Sequence, residues 1–331
     1  MRRTFLCIDG HTGGNPVRVV HGAVPSLKGR TMSEKRQDFM AHHDWIRKAL
    51  MFEPRGHDMM SGAIIYPPCS DDADAAILFI ETSGALPMCG HGLIGTVTIG
   101  LEHGLITPRV EGQLELDVPA GRITVSYTRV ADKVTSVRLR NIGSYLAHRD
   151  VAIEVEGLGP LMVDVAYGGN FYAIVDPQPG FKGLEGMSPA DIIRFSPLVR
   201  EAVNKAVDIV HPLDATVRGC SHVLWTGAPS AGADGRNAVF YGDKAIDRSP
   251  CGTGTSARMA QLVARGKLKA GDTFIHESII HSRFTGRVEM LTDVGGNPGI
   301  IPSIEGRAFV TGLNTIFVDE QDPFPEGFQL V

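Results

Sequence analysis

The sequence predicts an α+β fold assembled from two homologous halves. Three observations predict it. Short candidate strands are numerous, while helical stretches are few and do not alternate with them. A Gly-Gly-Asn turn lying between two strands occurs twice. A Cys-Gly-x-Gly run that opens a helix also occurs twice, in the same order.

Strands are expected at residues 5–9, 17–20, 63–66, 77–81, 122–127, 136–140 and 238–241, where β-branched and aromatic residues cluster between turn formers. Residues 34–51 and 188–195 carry helical spacing. The first repeated turn runs from Asp9 through Gly13, Gly14 and Asn15 into an apolar strand. The second runs from Asp164 through Gly168, Gly169 and Asn170 into another. The second pair is Cys89-Gly90-His91-Gly92 and Cys251-Gly252-Thr253-Gly254, at nearly the same offset. Each Cys is followed, at one and the same distance, by a Gly (Gly104 and Gly266) that reads as a helix stop. Upstream, residues 77–81 and 239–243 lie equally far from their cysteines. Two matched motifs in one order indicate a duplication, and halves so related most simply face each other across a cleft with one Cys from each.

Composition narrows the function classes. The 331 residues are enough for two domains, and 43% hydrophobic with 21% charged residues is globular. A net charge of −5 gives no basic footprint, so nucleic acid is not an expected partner. The apolar runs are too short to span a bilayer, so no membrane association is expected, and the first residues lack signal-peptide character. The five cysteines are odd in number and sparse, which fits a reducing, cytoplasmic setting. Cys7, Cys69 and Cys220 read as small buried hydrophobes.

The Cys-Gly-x-Gly loops carry chemistry. Glycine lets backbone and ligand approach closely. The start of the following helix offers N–H groups and partial positive charge, an anion site that also favours a neighbouring thiolate. With one such sulfur on each side of an α-carbon, one thiolate removes the proton and the other thiol returns one to the opposite face, inverting the centre. The N–H groups hold a carboxylate while negative charge moves onto it.

Other readings fit less of the pattern. Gly90 to Gly95 and Gly252 to Ala257 match dinucleotide fingerprints, but the preceding strands end too early for a tight strand-to-helix turn, and one dinucleotide leaves two cysteine-led copies unexplained. Cys89 and His91 lack a second ligand pair, so no metal is expected. Cys-x-x-Cys is absent, and Gly266-Lys267 is followed by Leu268, which is not a P-loop.

Residues 9–18, 53–62, 88–92, 167–173 and 247–257 together resemble the proline racemase family, and within it the 4-hydroxyproline 2-epimerases. The resemblance runs to Asp322 and the Pro-Phe-Pro after it, so it covers essentially the whole chain. It implies two pseudo-symmetric α+β domains of diaminopimelate epimerase-like type, each with strands wrapped around a central helix and the active site in the cleft between them. The first domain would be residues 1–127 with about 314–331, and the second residues 128–313. Cys89 and Cys251 would be the catalytic acid/base pair. Gly90, His91, Gly252 and Thr253 would hold the substrate carboxylate, Asp247 the imino nitrogen, and His222 would line the pocket.

The implied reaction is cofactor-independent inversion of C2 of trans-4-hydroxy-L-proline, giving cis-4-hydroxy-D-proline. Proline or 3-hydroxyproline would be the alternative small-molecule imino acid substrates. A non-catalytic imino-acid binding protein is the reading from another class, and retention of both cysteines speaks against it. Dehydratases of the family typically carry Thr at the second Cys, so Cys251 favours inversion over elimination. The resemblance also points to a homodimer. Many relatives have Cys where this chain has Gly13, a position that is not catalytic in the family.

Some of these residues also admit structural roles. His222 sits in an apolar run, where histidine commonly belongs to a core. Asp247 by composition is a solvated loop carboxylate. His57 and Asp58 suit a turn or cap as well as a pocket wall. His11 and Asn15 are expected to brace the Gly-Gly turn.

Overall fold

The computed structural model describes residues 2–330 and divides into two compact units, Met1–Leu139 with Gly306–Val331, and Arg140–Glu305. The fold is α+β, and each strand expected from sequence lies inside an observed one.

In the first unit the strand Arg2–Thr12 pairs antiparallel with both Ala308–Asp319 and Asn15–Gly22. Asn15–Gly22 runs parallel to Ser61–Tyr66, which pairs antiparallel with Ala75–Glu81. Ala75–Glu81 runs parallel to Gln113–Val118, which pairs antiparallel with Gly121–Val130.

The second unit repeats this order of senses. Gly159–Tyr167 is antiparallel to Ser144–Val155 and to Phe171–Val175. Phe171–Val175 is parallel to His222–Gly227, which is antiparallel to Gly235–Tyr241. Gly235–Tyr241 is parallel to Thr273–Glu277, which is antiparallel to Arg283–Val294. Here Asn297–Gly306 pairs onward with Arg283–Val294 and back with Ser144–Val155, closing the ring into a barrel. The duplication read from two motifs is therefore a duplication of the whole pairing scheme.

Period-two alternation lets each set of strands serve two cores. In the second unit Val165, Ala173, Val223 and Trp225 face the helix Pro189–Ala206. Their neighbours Ala166, Tyr172, Ile174 and Leu224 turn inward with Cys251 and Ala257. In the first unit Cys7, Val20 and Ile64 face the helices Met32–His42 and Asp44–Met51. Ile8, Val17 and Val19 turn inward onto Ile99.

The inward cores meet one helix per unit, Gly90–Glu102 and Gly252–Ala264. Residues 90–101 of the first are all buried, so it is a central helix wrapped by strands, apolar on every side. Both helices end where the glycine spacing predicts. Gly104 takes φ 66° and Gly266 φ 70°, left-handed positions that a Cβ would strain.

Two helical expectations change. The stretch expected as one helix over residues 34–51 is broken at His43, whose φ of −131° is not helical. The helix expected to stop at residue 195 continues to Ala206 through Pro197. An interior proline costs about 3 kcal/mol. Burial of Ile192, Phe195, Val199 and Val203 on one face returns about 1.5–3 kcal/mol each, so packing wins.

Cys7 and Cys220 are buried as expected, but Cys69 is only half-buried at the edge of its core. All five cysteines are free thiols. No helix among the described residues is long and apolar enough to cross a membrane.

Candidate active site

Each central helix begins directly after a buried cysteine. Cys89 is the N-cap of Gly90–Glu102 and Cys251 the N-cap of Gly252–Ala264. The first helical rungs run from the Leu93 amide to the Cys89 carbonyl, 2.9 Å, and from the Thr255 amide to the Cys251 carbonyl, 2.7 Å. The amides of residues 90–92 and 252–254 precede those rungs, which is the anion-binding end of a helix. The glycine directly before each rung donor is dictated by sulfur. A Cβ on Gly90's successor but one, Gly92, would lie 2.9 Å from Cys89 Sγ, and one on Gly254 would lie 3.1 Å from Cys251 Sγ.

In the first unit Cys89 and His91 come together with a carboxylate that sequence reasoning did not single out. Cys89 Sγ donates to Glu81 Oε1 at 3.3 Å and lies 3.5 Å from His91 Nδ1. His91 Nε2 is 3.0 Å from the Asn15 amide nitrogen, and its carbonyl accepts from Thr12 Oγ1. Asn15 thus reaches the helix start, beyond the turn it was expected to brace, whereas His11 does brace that turn through the Gly14 amide. Glu81 ends the strand Ala75–Glu81 and is buried, with Ser61 and Ser83 also donating to it. Among the described residues, Glu81, Cys89 and His91 form a group of possible metal donors, their ligand atoms lying within 4.8 Å of one another. The signal for Glu81 was its fixed distance upstream of Cys89, matched by Asp243 before Cys251.

In the second unit Cys251, Thr253, Asp247 and His222 gather around Tyr172, which sequence reasoning also missed. The Tyr172 hydroxyl is 3.3 Å from Cys251 Sγ and 2.6 Å from Thr253 Oγ1. The His222 ring lies 4.8 Å from the Tyr172 ring, with the Ser221 hydroxyl on its Nδ1 at 2.7 Å. Asp247, which composition would leave in solvent, is 2% exposed. Its Oδ1 accepts from the Ser249 amide and hydroxyl, and the same hydroxyl accepts from the Cys251 amide at 3.1 Å. Cys251 itself has φ 62°, a costly conformation for a residue with a Cβ, held by these flanking bonds. His57 and Asp58 lie in the loop before Ser61, where the Asp58 carbonyl accepts from Thr82 and the His57 carbonyl from the Met60 amide.

Electrostatics differ from the simple expectation that a helix start lowers a thiol. Burial pushes the Cys251 thiol well up, and the Asp247 carboxylate pushes it further, outweighing Tyr172, the Gly254 amide and Thr253. Burial also drives His222 down to about 3, so its ring is neutral. The repeated aspartates are structural anchors. Asp9 takes a two-pronged bond from Arg18, and Asp164 one from Arg265.

Comparison with known proteins follows this geometry. The family described as proline racemase matches residues 7–329. A protein of Shewanella loihica named 4-hydroxyproline 2-epimerase is 64% identical over 332 residues, covering 100% of both chains. A 4-hydroxyproline epimerase of Brucella ovis is 57% identical over 99% of each chain. A crystal structure of a hydroxyproline epimerase from Agrobacterium vitis, with bound trans-4-hydroxy-L-proline, is 31% identical. It superposes with a TM-score of 0.90 over 100% of this chain and 97% of that one.

Proposed function

Since the chain belongs to the proline racemase family, we propose that it epimerises trans-4-hydroxy-L-proline and cis-4-hydroxy-D-proline at C2, without a cofactor, using Cys89 and Cys251. The observation that carries this reading is the pair of buried cysteines capping two equivalent helices, in a chain 64% identical end to end to a protein named for that reaction.

The chemistry assigns one sulfur to each face of the α-carbon. A thiolate takes the C2 proton, and the electron pair spreads into the carboxylate. The other sulfur, as a thiol, gives its proton to C2 from the opposite side. The roles exchange in the reverse direction. Burial and Asp247 favour the thiol form at Cys251, the form that returns a proton to C2. The amides of Gly90, His91, Gly252 and Thr253 serve the carboxylate, and Asp247 serves the ring ammonium. His222 and Tyr172 form a neutral wall beside Cys251.

Imino acids suit this route. A ring nitrogen cannot form the usual neutral imine with pyridoxal phosphate, so a direct two-base transfer replaces the electron sink. Two free reactive thiols also fit a reducing, cytoplasmic setting.

The test is incubation with trans-4-hydroxy-L-proline, 3-hydroxyproline and L-proline in deuterated water. The proposal expects deuterium at C2 of the inverted 4-hydroxyproline, with the other two turned over more slowly. Binding without exchange, or faster turnover of another imino acid, overturns the assignment.

A further inference from the structure

The two thiols, equivalent by duplication, do not have equivalent partners. Cys251 meets a phenol, Tyr172. Cys89 meets a carboxylate, Glu81. At the same sequence distance before Cys251 stands Asp243, whose side chain is 71% exposed and sits 3.8 Å from Arg200. Glu81 is the last residue of its strand, whereas the matching strand of the second half ends at Tyr241 and leaves Asp243 beyond it, so the strand-end carboxylate beside Cys89 has no strand-end counterpart in the second half.

Both carboxyl oxygens of Glu81 have hydrogen-bond partners. Oε1 accepts from Cys89 Sγ and Ser61 Oγ, and Oε2 accepts from Ser83 Oγ. Accepting on both oxygens is the pattern of an ionised carboxylate. Such a group is costly to bury unless its bonds are made, and a wholly structural need would be met by the two serines without a thiol.

We infer that Glu81 is the positioning residue for Cys89, receiving the S–H hydrogen bond once the sulfur has taken the C2 proton. This inference rests on the two-cysteine reading above. In the step concerned, the C2–H bond breaks and the S–H bond forms. The C–H electron pair remains on the substrate, and the proton stays on sulfur. Glu81 gains no proton. Its negative charge repels the Cys89 thiolate and attracts the S–H dipole, so it drives the transfer toward sulfur and fixes the direction of the S–H bond. Glu81 acts through Cys89 and makes no contact with substrate in this scheme.

The experiment compares Glu81→Gln and Glu81→Asp with the unaltered protein. Gln keeps an acceptor oxygen and loses the charge, while Asp keeps the charge. Two quantities are read. The first is kcat and KM for 4-hydroxyproline. The second is the iodoacetamide labelling rate of Cys89 relative to Cys251, by peptide mass spectrometry.

Glu81→Gln is expected to lower kcat about 10- to 100-fold with KM within about twofold. It is also expected to raise the Cys89 labelling ratio about fivefold, because the neutral amide no longer repels the thiolate. Glu81→Asp is expected to recover most of kcat and the original labelling ratio. A merely structural Glu81 would change thermal stability and leave both kcat of the folded protein and the labelling ratio unchanged, and that result overturns the inference. If Glu81→Gln does not fold, Glu81→Ser takes its place with the same expected fall in kcat and rise in the labelling ratio, and unchanged values in that folded variant overturn the inference. Failure of the unaltered protein to turn over any hydroxyproline would sink the substrate reading, while the labelling ratio would still decide the Glu81–Cys89 coupling.

Discussion

The Tyr172 hydroxyl touches the Cys251 sulfur at 3.3 Å and the Thr253 hydroxyl at 2.6 Å, so one phenol connects the N-cap of the second central helix to its second residue. Tyr172 is fully buried, and burial together with the adjacent sulfur holds its hydroxyl protonated far into alkali. It can therefore donate to a thiolate at Cys251 each time that sulfur gives up its proton. Tyr172→Phe keeps the ring in its core and removes this donor. Its kcat should fall about tenfold, with stability reduced by only about 1 kcal/mol for the lost hydrogen bonds. Chiral chromatography of the product alongside urea unfolding measures both, and an unchanged kcat would remove Tyr172 from the reaction.

Cys89→Ser and Cys251→Ser test the pair itself. Serine is nearly isosteric but far less acidic, so each variant should lose at least about 1,000-fold in inversion while unfolding at nearly the wild-type denaturant concentration. Full activity in either variant rules out a reaction that uses both sulfurs.

Much of this fold was legible because its signals are local. Glycines at 104 and 266 stop helices wherever they occur, and Cys-Gly-x-Gly needs only its own backbone to form a helix start. The duplication, once two motifs had been matched, implied that the halves share one pairing scheme, but not which strands run parallel. Tyr172 was not legible, since it reaches its cysteine across strand pairings that no spacing rule encodes, and Glu81 showed only its distance upstream of Cys89, which does not say that its side chain meets the sulfur. The burial of Asp247 was not legible, because charged neighbours, Lys244 and Arg248, mask the turn in which Ser249 holds it, although its nearness to Cys251 already marked it as a site residue. Likewise, the break at His43 and the run through Pro197 reflect what the sheet beneath can bury, which local propensity does not contain.

Gly92 is a test of how tightly sulfur is held. An added Cβ would stand 2.9 Å from Cys89 Sγ, closer than such atoms approach, so Gly92→Ala must turn the thiol away from Glu81. The helix itself should gain slightly from the substitution, by up to about 1 kcal/mol. Activity and stability should thus move in opposite directions, with kcat reduced about 100-fold in a protein of equal or higher melting temperature. A variant that kept its activity would show that the Cys89–Glu81 contact is dispensable.

Acid should unfold the second unit by way of its buried histidines. His276 is 1% exposed and bonded to Thr255 at 2.8 Å and to Asn237 at 3.2 Å, behind the loop that carries Cys251. Burial drives both His276 and His222 from 6.5 down to about 3. A basic group whose folded value is depressed takes up its proton first in the unfolded chain. The stability tied to it is therefore complete above about pH 6.5 and is lost progressively as pH falls toward about 3. The neighbouring carboxylate of Glu277, lowered to about 2, adds to the loss in the same direction below about pH 4.5, as the unfolded chain's glutamate protonates. Denaturant midpoints between pH 7.5 and 4 should fall steadily for the natural sequence. In His276→Gln the midpoint at pH 7.5 should start lower, by about 1–3 kcal/mol for the lost hydrogen bonds, and decline less steeply. Equal slopes for the two proteins would mean that His276 titrates in the folded chain much as it does in the unfolded one, and that the Pro250–Cys251 loop is supported by something other than a neutral imidazole.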